Sequence, residues 1–391
     1  MPSTSRRASS KTLLERLFRL YYQARPALIL PQDMELREFA LQPFGSSTYI
    51  RHLAFSSYGE LLAYITGERV PLHLYYSSAR YEYPEAPNME DKKWLGSDLV
   101  FDIDADHVPG CTAREVVFCP RCGHMPEGLH GSPKCPRCGS EVSKVQLIND
   151  ECIQAAAAQA GRLIEFLGRD FGFPQVSVYF SGHRGFHVHV TCGEECATLD
   201  SHARREIVDY LRATGIDVRS ILGYWDSRRG AGHPVPPSPQ DPGWRGWIGG
   251  YMEDRLGGGV PSLDEAADLA YEAVSSLRVE VDEKVTIDVS RLVRVPNSLN
   301  GKAGLLVKEV EPAGLKGFTY SLDELSPFRG RVRIRALTVV DIVTGGYRVE
   351  AERGEILEVG APVGIYLACK GLASLVSVEG VKLVEVARGP T

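Results

Sequence analysis

Two aspartates close one of the more apolar runs in the chain, Ser97-Asp-Leu-Val-Phe-Asp-Ile-Asp104. As a strand, this run turns Leu99, Phe101 and Ile103 to one side and projects Asp102 and Asp104 together from the other, about 6 to 7 Å apart at the backbone. Anions this close repel unless a cation neutralises them, so the pair suits hard divalent ions. An isolated Asp-x-Asp is more often two solvated charges; its place at the end of an apolar strand favours the metal reading. A third carboxylate, Asp288, is expected on a strand from Lys284 to Val289, opposite Val285, Ile287 and Val289. Three aspartates on adjacent strands would form a two-metal site for in-line displacement at phosphorus.

Complementary charge comes from the turn Ser181-Gly-His-Arg-Gly185 and the strand Phe186-His-Val-His-Val190 after it. Glycines on both sides of His183 and Arg184 allow close backbone approach to an anion, and Arg184 can grip phosphate oxygens in pairs. Ser181, His183 and His187 add donors. After Asp288 come Arg291 and Arg294, which one helical turn would place on the same side, and then Gly301-Lys302. These groups suffice for a triphosphate.

Cys119-Pro-Arg-Cys122 and Cys135-Pro-Arg-Cys138, separated by twelve residues and each followed by glycine, have the spacing of a structural Zn(Cys)4 ribbon. Cys111, His124 and His130 compete as ligands. Filling four thiolate positions would leave the zinc no open site for catalysis.

These residues need a frame. Helical periodicity covers Thr12 to Arg25, and Asp150 is expected to cap a helix from Glu151 to about Arg169. Val176 to Phe180 and Phe186 to Val190 read as paired strands, followed by helices at about 201–213 and 262–277. The Gly, Pro, Trp and Arg-rich stretch 223–262 reads as an insertion with little regular structure. An α/β (mixed α+β) catalytic unit over 1–330, with the ribbon inserted at 108–145, would precede a small β-rich unit at 331–391 that contains a helical piece at 364–375. The 391 residues are 43% hydrophobic and 24% charged, which excludes disordered and fibrous classes. Nine cysteines, five of them crowded into one segment, are too few for a disulfide framework. No apolar run is long enough to span a membrane and no secretory core is evident, so an intracellular protein without membrane contact is expected. The net charge of −6 requires a local basic surface for any nucleic-acid partner.

With these features in place, the sequence resembles the small catalytic subunit of archaeal and eukaryotic-type DNA primase. The resemblance rests on Tyr49 to Phe55, Trp94 to His107, Ser181 to His187 and Asp288 to Gly304, and covers about residues 35–320. It implies a compact mixed sheet flanked by helices, with Asp102, Asp104 and Asp288 as ligands for catalytic Mg2+ or Mn2+. It also implies phosphate binding by Ser181, Arg184, His187, Arg294 and Lys302, with structural zinc in the cysteine insert. Asn300 departs from a common histidine of the family, and His183 stands where some relatives have arginine.

The expected activity is template-directed nucleotidyl transfer that starts primers de novo on single-stranded DNA from nucleoside triphosphates, in a heterodimer with a large primase subunit. A non-catalytic zinc-ribbon nucleic-acid-binding protein is the alternative. A nuclease or phosphatase would use the carboxylates but not the triphosphate-gripping residues. For the template, candidate ground is Arg228 to Arg255, plus Arg121 and Arg137; Trp225, Trp244 and Trp247 would serve either as stacking platforms or to pack the insertion onto the catalytic body.

Overall fold

Alternating apolar side chains build two four-stranded antiparallel sheets in the computed structural model, which describes residues 9–67, 69–125, 134–222, 237–257, 259, 261–384 and 389. One sheet has the order Leu292–Arg294, Pro71–Ser77, Phe39–Pro43, Ile50–Leu53. The other runs Lys308–Glu309, Val176–Phe180, Gly185–Val190, Leu99–Asp104. In the second sheet Phe186 pairs with Ile103 and Val188 with Phe101, giving one face that is wholly buried. The helix Asp150–Arg169 adds Ile153, Ala157, Leu163 and Leu167 to the same core. On the opposite face Val100 meets Tyr76 and Val293 of the first sheet and Val285, a small apolar cluster that joins the two sheets.

Residues 331–384 form a three-stranded sheet, a hairpin and the buried helix Ala361–Cys369. Strand Arg331–Ala336 buries Val332, Ile334 and Ala336 while its three arginines face outward. These elements pack against the N-terminal helix Ser10–Gln23, where Leu375 N donates to Ser10 Oγ at 2.8 Å. Among the described residues no helix is long and apolar enough to cross a membrane.

Four local expectations are corrected. Lys284 to Val289 is not a strand: Asp282 caps the helix Glu283–Ile287 by accepting from Lys284 N at 3.0 Å, and Thr286 Oγ1 donates to Val100 O at 2.9 Å. The β-branched run favours a strand locally, but the cap and packing against Leu99–Asp104 prevail. Asn149 rather than Asp150 holds the cap position of the next long helix; Asp150 is its first residue and accepts from Gly345 N at 2.7 Å. The helical piece expected at 364–375 is the helix Ala361–Cys369 followed by the strand Ala373–Ser377.

The fourth correction concerns the tryptophan-rich stretch, whose described part contains the helix Gly243–Leu256. Its glycines read as breakers, yet a Cβ on Gly249 would lie 2.7 Å from Ser238 N, so close chain approach is what requires glycine there. Trp244 is buried and donates to Tyr210 O at 2.9 Å; the Trp247 ring lies 4.4 Å from Phe166 and its Nε1 donates to Asp170. Both rings anchor the helix to the body, the packing role of the two open to them. Trp225 and Arg228 lie outside the described residues.

Arg204, 1% exposed on the helix Ser201–Leu211, secures the base of the aspartate strand. It donates to Leu199 O at 2.9 Å, Ser97 O at 3.0 Å and Asp98 O at 3.1 Å. Arg204→Met should lower the unfolding free energy by about 3 kcal/mol, because one buried and two partly buried carbonyls lose their donor. Urea titration measures this, and a loss below about 1 kcal/mol would mean that those carbonyls do not depend on Arg204.

Candidate active site

A cleft of about 490 Å³ lies where the two sheets face each other, and it gathers Asp102, Asp104, Asp288, Ser181, His183, Arg184, His187, Arg294 and Lys302. Strand register does much of this work. His187 stands opposite Asp102, and Gly185 stands opposite Asp104. A side chain at 185 would collide with the Ile103 carbonyl and lie 2.9 Å from Asp104 Oδ1, so the residue closing the turn must be glycine. The turn is fastened by Ser181 N donating to Gly185 O at 2.8 Å and Gly185 N to Ser181 Oγ at 3.2 Å.

Asp288 reaches the cleft as the residue ending the helix Glu283–Ile287, with its Oδ1 fixed by Ser290 N at 2.9 Å and Ser290 Oγ at 2.8 Å. Arg291 and Arg294 both line the cleft, but not through the expected helical turn, because Leu292–Arg294 is a strand. Asn300 joins two loops: its Nδ2 donates to Ser181 O at 2.8 Å and its Oδ1 accepts from Lys302 N at 3.0 Å.

Burial, followed by Asp282, pushes the Asp102 carboxyl up to about 6. Burial and then Asp102 raise Asp104. Asp102 Oδ1 is buried without a hydrogen-bond partner among the described residues. An unpartnered oxygen beside a second carboxylate is the environment a divalent cation would relieve, so the donor set fits a hard metal ion. Arg184 is held at 3.0 Å by Asp106, at 2.9 Å by Gln146 Oε1 and at 3.8 Å by Asp104. Five cationic side chains, Arg51, Arg184, Arg291, Arg294 and Lys302, line the cleft beside the three aspartates. A chain that is acidic as a whole therefore carries an anion-attracting cleft.

His73 and Tyr75 were not singled out from sequence. His73 Nδ1 accepts from Arg294 Nη1 at 2.7 Å and from Gly301 N at 3.2 Å, while the Arg294 guanidinium lies 5.0 Å from the Tyr75 ring centre. Burial, then Arg294 and Lys302, lowers the His73 pKa to about 2, so the ring is a neutral acceptor. The alternation of Leu72, Leu74 and Tyr76 with His73, Tyr75 and Ser77 was available as a strand signal, but nothing in it said which face would meet the aspartates. Arg51, a further cleft residue, is braced by buried Glu38 at 2.9 Å.

In the insert, the sulfurs of Cys119, Cys122, Cys135 and Cys138 lie within 4.8 Å of one another and could hold one metal ion. The two knuckles repeat: Gly123 N donates to Cys119 O and Gly139 N to Cys135 O, each at 2.8 Å. Cys111 is removed as a ligand by its disulfide with Cys152, and Cys192–Cys196 forms a second disulfide; the clustering argument anticipated neither. His124 is not in the cluster, and His130 lies outside the described residues.

Residues 141–312 match the family model for the DNA primase small subunit. The chain is 42% identical over 363 residues to DNA primase small subunit PriS of Saccharolobus islandicus (strain M.14.25 / Kamchatka #1), covering 93% of this chain and 95% of that protein. The PriS of Saccharolobus solfataricus gives the same identity and coverage, and that of Aeropyrum pernix is 39% identical over 365 residues, 93% of each chain. Such a match places the mixed α/β frame among the nucleotidyltransferases of DNA replication. The chain belongs to the DNA primase small-subunit family, with that family's fold and a cysteine ribbon inserted in it.

Asp102→Asn should stabilise the metal-free protein by about 1 to 2 kcal/mol, since it removes a buried, unpaired anion. Mn2+ should raise the melting temperature of the wild type and leave that of Asp102→Asn unchanged. An equal rise in both, read by differential scanning fluorimetry, would place the metal elsewhere.

Proposed function

We propose that this chain is the catalytic subunit of a DNA-dependent primase, joining nucleoside triphosphates de novo on single-stranded DNA with release of pyrophosphate. The observation that carries the reading is the convergence of Asp102, Asp104 and Asp288 with Arg184, Arg294 and Lys302 on one cleft. The three aspartates would hold two Mg2+ or Mn2+ ions, which when bound supply Lewis-acid stabilisation at the attacking 3′ oxygen and the leaving pyrophosphate.

The chain's own residues bind and orient the nucleotide. Lys302 reaches the cleft from the turn after Asn300, with its charge exposed to a ligand by the absence of a close carboxylate ion pair among the described residues. Arg294, steadied by His73 and Tyr75, offers its remaining N–H groups to phosphate oxygens. Arg184 is already oriented by Asp106 and Gln146. His187 is kept neutral, its pKa lowered to about 4 by burial first and then Arg294, so it contributes a hydrogen bond rather than a charge.

The template would run over the ribbon, where Arg121 and Arg137 are exposed, and zinc in the four cysteines would keep those arginines in place. A large primase subunit would add grip on the template. The direct experiment is incubation with single-stranded DNA, labelled nucleotides and Mg2+ or Mn2+ without primer, followed by sizing of products; absence of any product, with or without a large subunit, would sink the reading.

Asp104→Ala should reduce synthesis at least about a thousandfold, whereas Lys302→Ala should first raise nucleotide KM by roughly tenfold or more, from loss of one charge-assisted contact. Steady-state kinetics separates the two effects, and normal synthesis by Asp104→Ala would rule out its place among the metal ligands. Elemental analysis should find one zinc per chain, lost when Cys119 and Cys135 are both changed to Ser. Zinc retained by that double variant would move the ligand set off these cysteines.

A further inference from the structure

Behind the phosphate turn stands a cation that the nucleotide reading leaves unused. The helix Ala361–Cys369 ends at Lys370, whose Nζ lies 2.7 Å from His183 Nε2 and 3.5 Å from the main-chain oxygen of Gln146. An ammonium has donors only, so between these two acceptors the hydrogen bond to the imidazole runs from Lys370. That leaves Nε2 of His183 unprotonated. His183 is held neutral by burial first and then by Lys370, Lys302 and Arg184, so its single ring proton belongs on Nδ1. Burial, then Arg184 and Lys302, also draws the Lys370 pKa down to about 7, as expected of a cation set among cations, so the ammonium that donates to His183 prevails below that pH. Among the described residues no carboxylate pairs with it. Its stem lies over the Tyr366 ring, with Nζ 5.4 Å from the ring centre. His183 lines the cleft, with Lys370 in contact behind it.

The same construction occurs at the other side of the cradle, where neutral His73 orients Arg294. There the imidazole stands behind and the cation faces the cleft; at His183 the imidazole faces the cleft and the cation stands behind. We propose that Lys370 is a positioning residue for the phosphate cradle: its ammonium fixes His183 with Nδ1–H as the donor available to the cleft and adds a positive charge behind that donor for a triphosphate. The inference rests on the nucleotidyl-transfer reading of the cleft and extends the cradle to a residue of the C-terminal segment.

Three measurements, made below pH 7 where Lys370 is charged, test it. In 15N-histidine NMR of the wild type, the His183 signal, assigned by its loss in His183→Gln, should show the proton on Nδ1. In titration calorimetry with inorganic tripolyphosphate and no divalent metal, Lys370→Met should bind about tenfold more weakly than the wild type, and Lys370→Arg should recover to within about threefold. Nucleotide KM should rise in Lys370→Met with little change in kcat, and the Lys370→Met effect should largely vanish in a His183→Gln background. A proton on Nε2 of wild-type His183, or tripolyphosphate affinity in Lys370→Met equal to that of a binding wild type, would overturn this inference alone. A wild type that binds neither tripolyphosphate nor nucleotide would overturn the parent reading and this inference with it.

Discussion

Asp102 and Asp104 repel each other on one short strand, and much of the surrounding structure makes that placement tolerable. The strand is held from its other face by Phe101 and Ile103, both fully buried, which fixes the register and denies the aspartates escape to solvent by a one-residue slip. Its base is tied down by Arg204, and Val100 beside Asp102 is clamped by Tyr76, Val293 and Val285 from three other elements. Arg184 supplies part of the missing positive charge. What remains uncompensated, the bare Oδ1 of Asp102, is where a metal ion would be held most strongly.

Cations crowd the same cleft, and Arg294 in it and Lys370 behind it are oriented by neutral groups. Pairing each arginine and lysine with a carboxylate would fix its position but cancel its field. Histidine acceptors such as His73 and His183 orient a cation without neutralising it, and the Tyr75 ring does the same through its quadrupole. Arg184 and Arg51 are exceptions, since their partners Asp106, Asp104 and Glu38 are acidic. The cleft thus keeps charge in reserve for a ligand while its side chains are already in place, an arrangement that limits reorganisation on binding.

The two parts that looked most detachable in the sequence meet this cleft. Gln146, on the strand Ser143–Leu147 at the base of the ribbon, accepts from Arg184 through its side chain and from Lys370 through its main chain. Cys111, at the start of the insert, is linked to Cys152 on the helix that supports the second sheet. The ribbon, the turn at 181–185 and the C-terminal helix therefore converge on Gln146, and a shift of the ribbon stem would be felt at Arg184.

Residue type and spacing alone marked the groups that the structure then gathers: a strand ending in paired aspartates, a glycine-bounded turn with His and Arg, and two Cys-x-x-Cys knuckles are each legible from local geometry. These are short-range properties, since period-two alternation and knuckle spacing are set within a few residues. Where burial overrides local preference, the sequence misled: Lys284 to Val289 has the composition of a strand, yet Asp282 caps it as a helix, and Gly246 and Gly249 serve close packing rather than a loop. His73, Tyr75 and Lys370 could not be found from the sequence at all. Each lies in an unremarkable local pattern and gains its role from residues over 180 positions away, Arg294 for the first two and His183 for the third. Which face of Pro71–Ser77 meets the aspartates, and where the last helix ends against the phosphate turn, are outcomes of packing among distant segments, so only the tertiary structure decided them.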